Sequence, residues 1–461
     1  MTRLTSALLF VFLVACFPQG GVVLPIYNPP PLPKLVTSVV TITSPTLGEV
    51  IVPNASDGQA EVLIVGTYAP TLSGAILFRI DDGEWSVWVE DPHSSGGFLP
   101  YLSITVPIGT VQMEIALEGS PDSLGTLSFQ VSPLNLTSPK PGQMFQREDG
   151  TGFGSVIFEG SYGPNTGAPI EGRFAGGEWQ ILVPFPDPAG GDFRVALDNQ
   201  PSTRGWAEVR VQGLPESALS IPNVAVGWLI AIAGQSNAVG RGGIFNDYLT
   251  PEGFPDQKLF TYTVNRYWKE GGDPLHPLGG GSPYPRLAQC LGTSGVPVGF
   301  IQASEDGTGL VNYPDWKGGT GAFFHRLVDM VAEATSNTMK VGAILWFQGE
   351  MDASFSTGNV PYREGFVALA EALQNEFGTS VKVVPALQWI PPADTSLGYQ
   401  AEGYQNVRLA TIEAVAIRPD LFREGPETAD LPRGDGLHIG SEESMELLAQ
   451  RWCEILQTLL D

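Results

Sequence analysis

The chain has 461 residues, room for several domains, and sets 24 Lys and Arg against 49 Asp and Glu for a formal net charge of −25 at pH 7. So acidic a chain repels phosphate, which excludes nucleic acid as the expected partner. With 43% apolar and 10% aromatic residues wholesale disorder is excluded, and three cysteines and four histidines, with no Cys-x-x-Cys or His-x-x-x-His pair, leave no metal site and no cofactor to expect.

Met1 to Cys16 reads as an export signal: Arg3 is the positive start and Leu8 to Val14 an unbroken apolar run. That run is far short of the ~20 apolar residues that span a bilayer. It ends in Leu13-Val14-Ala15-Cys16, which resembles a bacterial lipobox whose cysteine carries the lipid. The expectation is a signal peptide over residues 1–16, then a Pro-rich linker over 17–35 holding Pro29, Pro30, Pro31 and Pro33, which favour an extended chain. The protein is then exported and attached to a membrane through lipid on Cys16, at the cell surface or outer membrane; without the lipid it is secreted.

From there to about Pro222 short alternating runs broken by Gly, Pro, Asp and Ser predict an all-β segment. Thr43-Ser44-Pro45 recurs as Thr137-Ser138-Pro139, Gly66-Thr67-Tyr68 as Gly160-Ser161-Tyr162, and Gly83-Glu84-Trp85 as Gly177-Glu178-Trp179, all at one spacing of 94 residues. Two tandem modules follow, 36–133 and 134–220, each of a size for an immunoglobulin-like β-sandwich. Trp85, Trp88 and Trp179 are either sugar-stacking platforms or core plugs. The equivalence of Trp85 and Trp179 favours core, and the modules serve as spacers or as glycan binders.

Beyond Pro222 the pattern changes, and residues 221–461 predict an α/β domain. Val224 to Ala233, Pro297 to Ile301, Val341 to Phe347 and Val381 to Leu387 are apolar runs of strands buried on both faces. Helical patterns alternate with them at Tyr284 to Leu291, Phe323 to Ala334, Tyr362 to Phe377, Gln405 to Ile417 and Ser441 to Leu460, the last capped by Ser441. Cys290 and Cys453 sit in two of these helices beside leucine or isoleucine and read as buried free thiols rather than as a pair.

Ligands bind such sheets at the carboxyl ends of the strands. The first strand runs into Gly234-Gln235-Ser236-Asn237, a Gly-flanked turn that offers a serine and free backbone N–H groups. Gln348-Gly349-Glu350 follows another strand, its glutamine an amide donor, its glutamate a loop-fixing or sugar-binding group. Asp435-Gly436-Leu437-His438 precedes the last helix, spaced so that a carboxylate can hold one ring nitrogen of a base.

In that order the three blocks resemble the SGNH-hydrolase superfamily, in its branch of sialate O-acetylesterases and carbohydrate esterase family six acetylxylan esterases. The resemblance covers about Val224 to Leu460 and extends to Ser282-Pro283-Tyr284-Pro285 and Pro297-Val298-Gly299-Phe300-Ile301. It implies a three-layer flavodoxin-like domain with a parallel sheet, and a serine esterase that takes acetyl groups from glycans through an acyl-enzyme. Ser236 is then the nucleophile, His438 the base and Asp435 its orienter. The oxyanion falls to the Ser236 N–H, the Gln348 side chain and one of Gly279, Gly280 and Gly281, of which Gly281 is chosen. Asn237 and Glu350 are substrate-binding or loop-fixing. Asp306 stands where the branch usually has glycine, which puts the substrate rim in question. Asn312, Asp315, Trp316 and Lys317 suggest a polar rim with one aromatic, suited to an acetylated glycan. Two competing readings are a lipase or thioesterase on the same fold, and a glycan-binding surface protein with an inactive hydrolase domain. Oligomeric state is not legible.

Overall fold

The computed structural model describes residues 40–46, 49–52, 59–69, 72, 74–92, 97–119, 123–242, 259–387, 401–433 and 435–460. The expected signal peptide, Cys16 and the Pro-rich linker lie outside these. The described residues form two compact units, one of 40–145 and 152–226, the other of 146–151 and 227–460.

The first unit begins with β1 (Val40–Ser44), β2 (Val50–Ile51), β3 (Gln59–Tyr68), β4 (Ile76–Ile80), β5 (Ser86–Val89), β6 (Leu102–Pro107), β7 (Gly109–Leu117) and β8 (Ser123–Val131). They make two sheets, β1-β3-β6 and β2-β8-β7-β4-β5. Residues of both sheets share one core, in which alternate positions such as Ala60, Val62 and Ile64 of β3 are buried. The pattern repeats in β9 (Leu134–Ser138), β10 (Met144–Gln146), β11 (Phe153–Tyr162), β12 (Ile170–Phe174), β13 (Gln180–Val183), β14 (Gly191–Pro201), β15 (Arg204–Val211) and the start of β16 (Leu214–Gly234), with a second core around Phe158, Phe174 and Val209.

The repeat spacing extends to side chains the motif matches did not include. Arg79 pairs with Glu114 at 2.8 Å and, at the equivalent positions, Arg173 pairs with Glu208 at 2.7 Å. Arg79 lies 4.8 Å from the centroid of Trp85, and Arg173 lies 4.5 Å from that of Trp179. This corrects the expectation that Trp85 and Trp179 plug the cores. Trp85 is 39% exposed and Trp179 half-buried, each covered by a guanidinium on the sheet's outer surface. Trp88 is the buried one, its indole donating to Pro100 O.

β16 is unbroken for 21 residues. It pairs with β15 up to Ala225 and, from Trp228, in parallel with later strands. The boundary expected between 220 and 221 falls inside it, and the units divide instead after Val226. Hydrophobic pattern marks where a strand becomes buried on both faces, not where it begins.

The second unit continues with α1 (Ser236–Val239), β17 (Phe260–Tyr262), β18 (Trp268–Glu270), α2 (Tyr284–Gly292), β19 (Val298–Gln302), α3 (Ala322–Ala334), β20 (Ala343–Phe347), α4 (Glu350–Ser354), α5 (Asn359–Phe377), β21 (Lys382–Pro385), α6 (Ala401–Ile417) and α7 (Glu442–Leu460). Its sheet runs β18-β17-β19-β16-β20-β21, parallel except for β18. Every residue of Val224–Gly234, β19 and β20 is buried, as central parallel strands require. On one face Trp228, Ile230 and Ile232 pack with Tyr284 and Leu287 of α2 and Met445, Leu448 and Trp452 of α7. The Ser441 hydroxyl caps α7 by accepting the Ser444 N–H at 3.1 Å.

Cys290 and Cys453 are disulfide-bonded, which corrects the reading as free thiols. α2 and α7 lie side by side, with the two Cα atoms 6.3 Å apart, inside the range a disulfide spans. No sequence spacing carries that proximity.

Candidate active site

β16 delivers Ser236 to the carboxyl edge of the sheet. Gly234 turns the chain there with φ +130°, and a Cβ at that position would meet Phe347 O of β20 at 2.1 Å. Only glycine allows the approach. The Gln235 N–H donates to that same carbonyl at 2.9 Å, and α1 starts at Ser236, which is 8% exposed.

The loop ahead of α7 supplies the partners. Asp435 Oδ1 accepts the N–H groups of Leu437 and His438 at 2.9 and 2.7 Å, which folds the loop around the carboxylate. Its Oδ2 lies 2.6 Å from His438 Nδ1, and His438 Nε2 lies 2.9 Å from Ser236 Oγ. Partial burial pulls the Asp435 carboxyl upward, but the N–H of His438, its ring and the N–H of Leu437 prevail and hold it down to about 2. It stays a carboxylate near neutral pH, so Nδ1 carries the proton and Nε2 accepts from the serine hydroxyl. Serine, histidine and aspartate thus form one hydrogen-bonded chain.

Asn237 locks that chain together. Its Oδ1 accepts the Ile439 N–H at 3.0 Å, while Nδ2 donates to Glu350 Oε1 at 2.5 Å. Of the two roles expected for Asn237 and Glu350, both side chains are spent on fixing loops, and both residues are buried.

The expected oxyanion donors are arranged differently. Gly281 N–H donates to Gly242 O at 2.8 Å, Gly280 N–H to Gly240 O at 2.7 Å and Gly279 N–H to His276 O at 2.8 Å. Each N–H has one hydrogen, so the assignment to Gly281 is corrected: none of the three is available. Gln348 Nε2 faces Asp352 Oδ2 at 2.8 Å and both Gln235 Oε1 and Thr308 O at 3.2 Å, and its Oε1 accepts from Tyr362. Three acceptors engage its two hydrogens, so here the amide organises loops. Ser236 and Asn237 N–H, at the start of α1, have no intrahelical acceptor.

Trp316 is also corrected. It is fully buried in a 3-10 turn, Pro314–Trp316, donates to Thr308 Oγ1 at 2.8 Å and packs edge-on against Trp346. It belongs to the core under the rim. Asp306, the departure from the usual glycine, has a partner: Arg241, which follows the nucleophile turn, donates to its Oδ1 at 2.9 Å and to Leu278 O at 2.7 Å.

Sequence reasoning missed Asp352 and Gln235. Asp352, fully buried, accepts the N–H groups of Leu310, Val311 and Asn312. Gln235 Oε1 accepts those of Gly349 and Met351. The available signal for Asp352 was a second carboxylate two residues after Glu350, just past a buried strand; Gln235 had none beyond its place beside Ser236. Among the described residues no group of three or more His, Cys, Asp or Glu is placed to hold a metal ion.

Residues 226–454 match the family model described as "Carbohydrate esterase, sialic acid-specific acetylesterase". The match spans 229 of the 461 residues. A probable carbohydrate esterase of Arabidopsis thaliana is 23% identical over 240 residues, 48% of this chain and 86% of the relative. Among solved structures, a carbohydrate acetylesterase from Xanthomonas citri is similar with TM-score 0.48 and 18% identity over 71% of this chain and 75% of its own. A family two carbohydrate esterase from Cellvibrio japonicus is similar with TM-score 0.32 and 12% identity over 71% and 98%. The family model and these relatives agree on the reaction class, and the chain is a carboxylic ester hydrolase.

Proposed function

We propose that this protein is an exported serine esterase that removes O-acetyl groups from carbohydrates through Ser236, His438 and Asp435. The observation that carries it is the unbroken hydrogen-bonded chain from Ser236 Oγ through the His438 ring to the Asp435 carboxylate. His438 Nε2 takes the hydroxyl proton as Ser236 attacks the ester carbonyl, and returns it to the departing sugar oxygen. Water then repeats the sequence on the acyl-enzyme, which releases acetate and restores Ser236. Asp435 keeps the proton on Nδ1 and stabilises the charged ring. The Ser236 N–H, at the start of α1, donates to the oxyanion.

Export has support from the Cys290–Cys453 disulfide, since such bonds persist in oxidising compartments. The lipobox-like Cys16 assigns membrane attachment on sequence alone. In the same reading the modules are immunoglobulin-like and the esterase unit is a three-layer flavodoxin-like domain.

The test is acetate release from acetylated xylan and from O-acetyl sialic acid by the full chain and by Ser236→Ala and His438→Ala. Each variant is expected to lose several orders of magnitude in kcat, and the double variant scarcely more, because the residues act as a unit. A folded Ser236→Ala protein with near-wild-type turnover overturns the serine mechanism.

A further inference from the structure

Two half-exposed aromatic rings stand where the loops after β19 and β20 meet. Tyr313 and Phe355 are 39% and 44% exposed and lie edge to face, ring centroids 5.2 Å apart. Apolar surface left in water forgoes roughly 25 cal/mol per Å². Nearby Trp316 and Trp346 are buried completely, so the exposure of this pair is local and does not reflect a loose core.

The pair is tied to the nucleophile by a short set of bonds. Asp352 of α4 holds the N–H groups of Leu310, Val311 and Asn312, the segment that leads into Tyr313. Asn312 is braced in turn by donating its amide to Thr357 Oγ1. α4 starts against both neighbours of Ser236: Glu350 accepts from Asn237, and the Met351 N–H donates to Gln235. Phe355 caps the far end of that helix. From Met351 to Phe355 is about one turn, or ~6 Å of rise. Over its last residues β16 lies between β19 and β20, so the loops bearing the pair flank the strand that presents the serine.

We propose that Tyr313 and Phe355 form a sugar-stacking platform at the mouth of the active site, on which the pyranose ring of the leaving alcohol lies while the acyl carbon sits at Ser236. This rests on the carbohydrate-ester reading above. An acetyl group offers little surface to bind, so selection of a sugar ester must come from the alcohol side. Pyranose faces present C–H groups, which match the electron-rich faces of aromatic rings. Two rings set at an angle leave such faces open, and the clamp on 310–312 fixes them before substrate arrives, which lowers the ordering cost of binding.

The experiment compares the full chain with Tyr313→Ala, Phe355→Ala, the double variant and Phe355→Tyr. Acetate release is measured on acetylated xylo-oligosaccharides, on O-acetyl sialic acid and on methyl acetate, which has neither sugar nor ring. Each alanine variant is expected to raise KM for the sugar ester about five- to tenfold at little-changed kcat, the range of one aromatic contact. The ratio of kcat/KM on sugar ester to that on methyl acetate falls by the same factor, and Phe355→Tyr restores it. A double variant with unchanged KM for both sugar esters overturns the platform. An equal fall on methyl acetate also overturns it, since the rings then only brace the catalytic loops. If the wild-type chain cleaves methyl acetate and neither sugar ester, the carbohydrate reading itself fails while the serine chemistry stands.

Discussion

Two loops meet the nucleophile turn, and they are built in opposite ways. The acid–base loop, Asp435 to Ile439, is short and partly open, and Asp435 makes its own bonds to residues two and three positions on. The loop from Asp273 to Ser282 is half-buried, and its last two glycines are placed by distant backbone: Gly280 by Gly240, Gly281 by Gly242. In the first, spacing along the chain is the structure. In the second, three adjacent glycines compete for one role, and backbone pairing withdraws all three: Gly280 and Gly281 to distant carbonyls, Gly279 to His276 three residues back.

The largest effect that sharpens this contrast is expected at Asp435. Its Oδ1 already accepts two backbone N–H groups, so in Asp435→Asn the amide oxygen keeps that place and the NH₂ faces His438 Nδ1. The ring must then carry its proton on Nε2 and can no longer accept from Ser236. A fall in kcat of about 10³–10⁴ with unchanged melting temperature is expected. Pre-steady-state and steady-state assays on p-nitrophenyl acetate check it. A loss under tenfold means that Asp435 builds the loop without setting the tautomer.

Gln348→Ala separates the two sides further. A pure oxyanion donor would lose about 10²–10³ in kcat at constant stability. The bonds to Asp352, Gln235, Thr308 and Tyr362 predict that activity and stability fall together, the latter by about 1–3 kcal/mol, because buried partners lose their hydrogen bonds. Denaturant titration beside kinetics reads both. A silent melting curve with lost kcat would return Gln348 to the oxyanion.

The same division explains what was legible in the sequence. β19, β20, β21, α2, α3, α5, α6 and α7 are within a few residues of expectation, because apolar period follows from burial and burial from layering. β17 and β18, of three residues each, and the single-turn helices α1 and α4 are too short to show a period. Ser236, Asp435 and His438 were legible as strand-end and loop motifs. Trp316 was not, because whether a loop aromatic faces solvent depends on Trp346 and Phe323 beneath it. The disulfide was missed for the same reason. It closes 163 residues, and Cys290→Ser with Cys453→Ser is expected to cost about 2–4 kcal/mol of stability while kcat holds, since it staples α2 to α7 away from the triad loop. Loss of kcat at a temperature where the variant is folded would show that the staple also positions the loop before α7.

The smallest expected effect lies in the glycine loop, where two buried groups titrate against each other. Burial, opposed by the bonds from Ser282, raises the Asp273 carboxyl to about 7. Burial lowers His276 to about 4, with Glu305 opposing and Arg326 and Arg241 assisting, and its Nε2 has no hydrogen-bond partner among the described residues. Unfolded, these groups titrate near 3.9 and 6.5. Between about pH 4.5 and 6 the folded chain holds one proton more at Asp273 and one fewer at His276 than the unfolded chain. The first makes stability fall as pH rises, the second makes it rise, and each slope approaches 1.4 kcal/mol per pH unit. The two cancel in the wild-type loop. Asp273→Asn leaves the histidine contribution, so its stability relative to wild type is expected to climb across this window. His276→Asn leaves the carboxyl contribution, so its relative stability is expected to decline. Urea titrations at pH 4.5, 5.2 and 6.0 measure the slopes. Two parallel, flat difference curves would mean that neither group is as isolated from water as its burial implies, and that this loop, like the acid–base loop, is open to solvent.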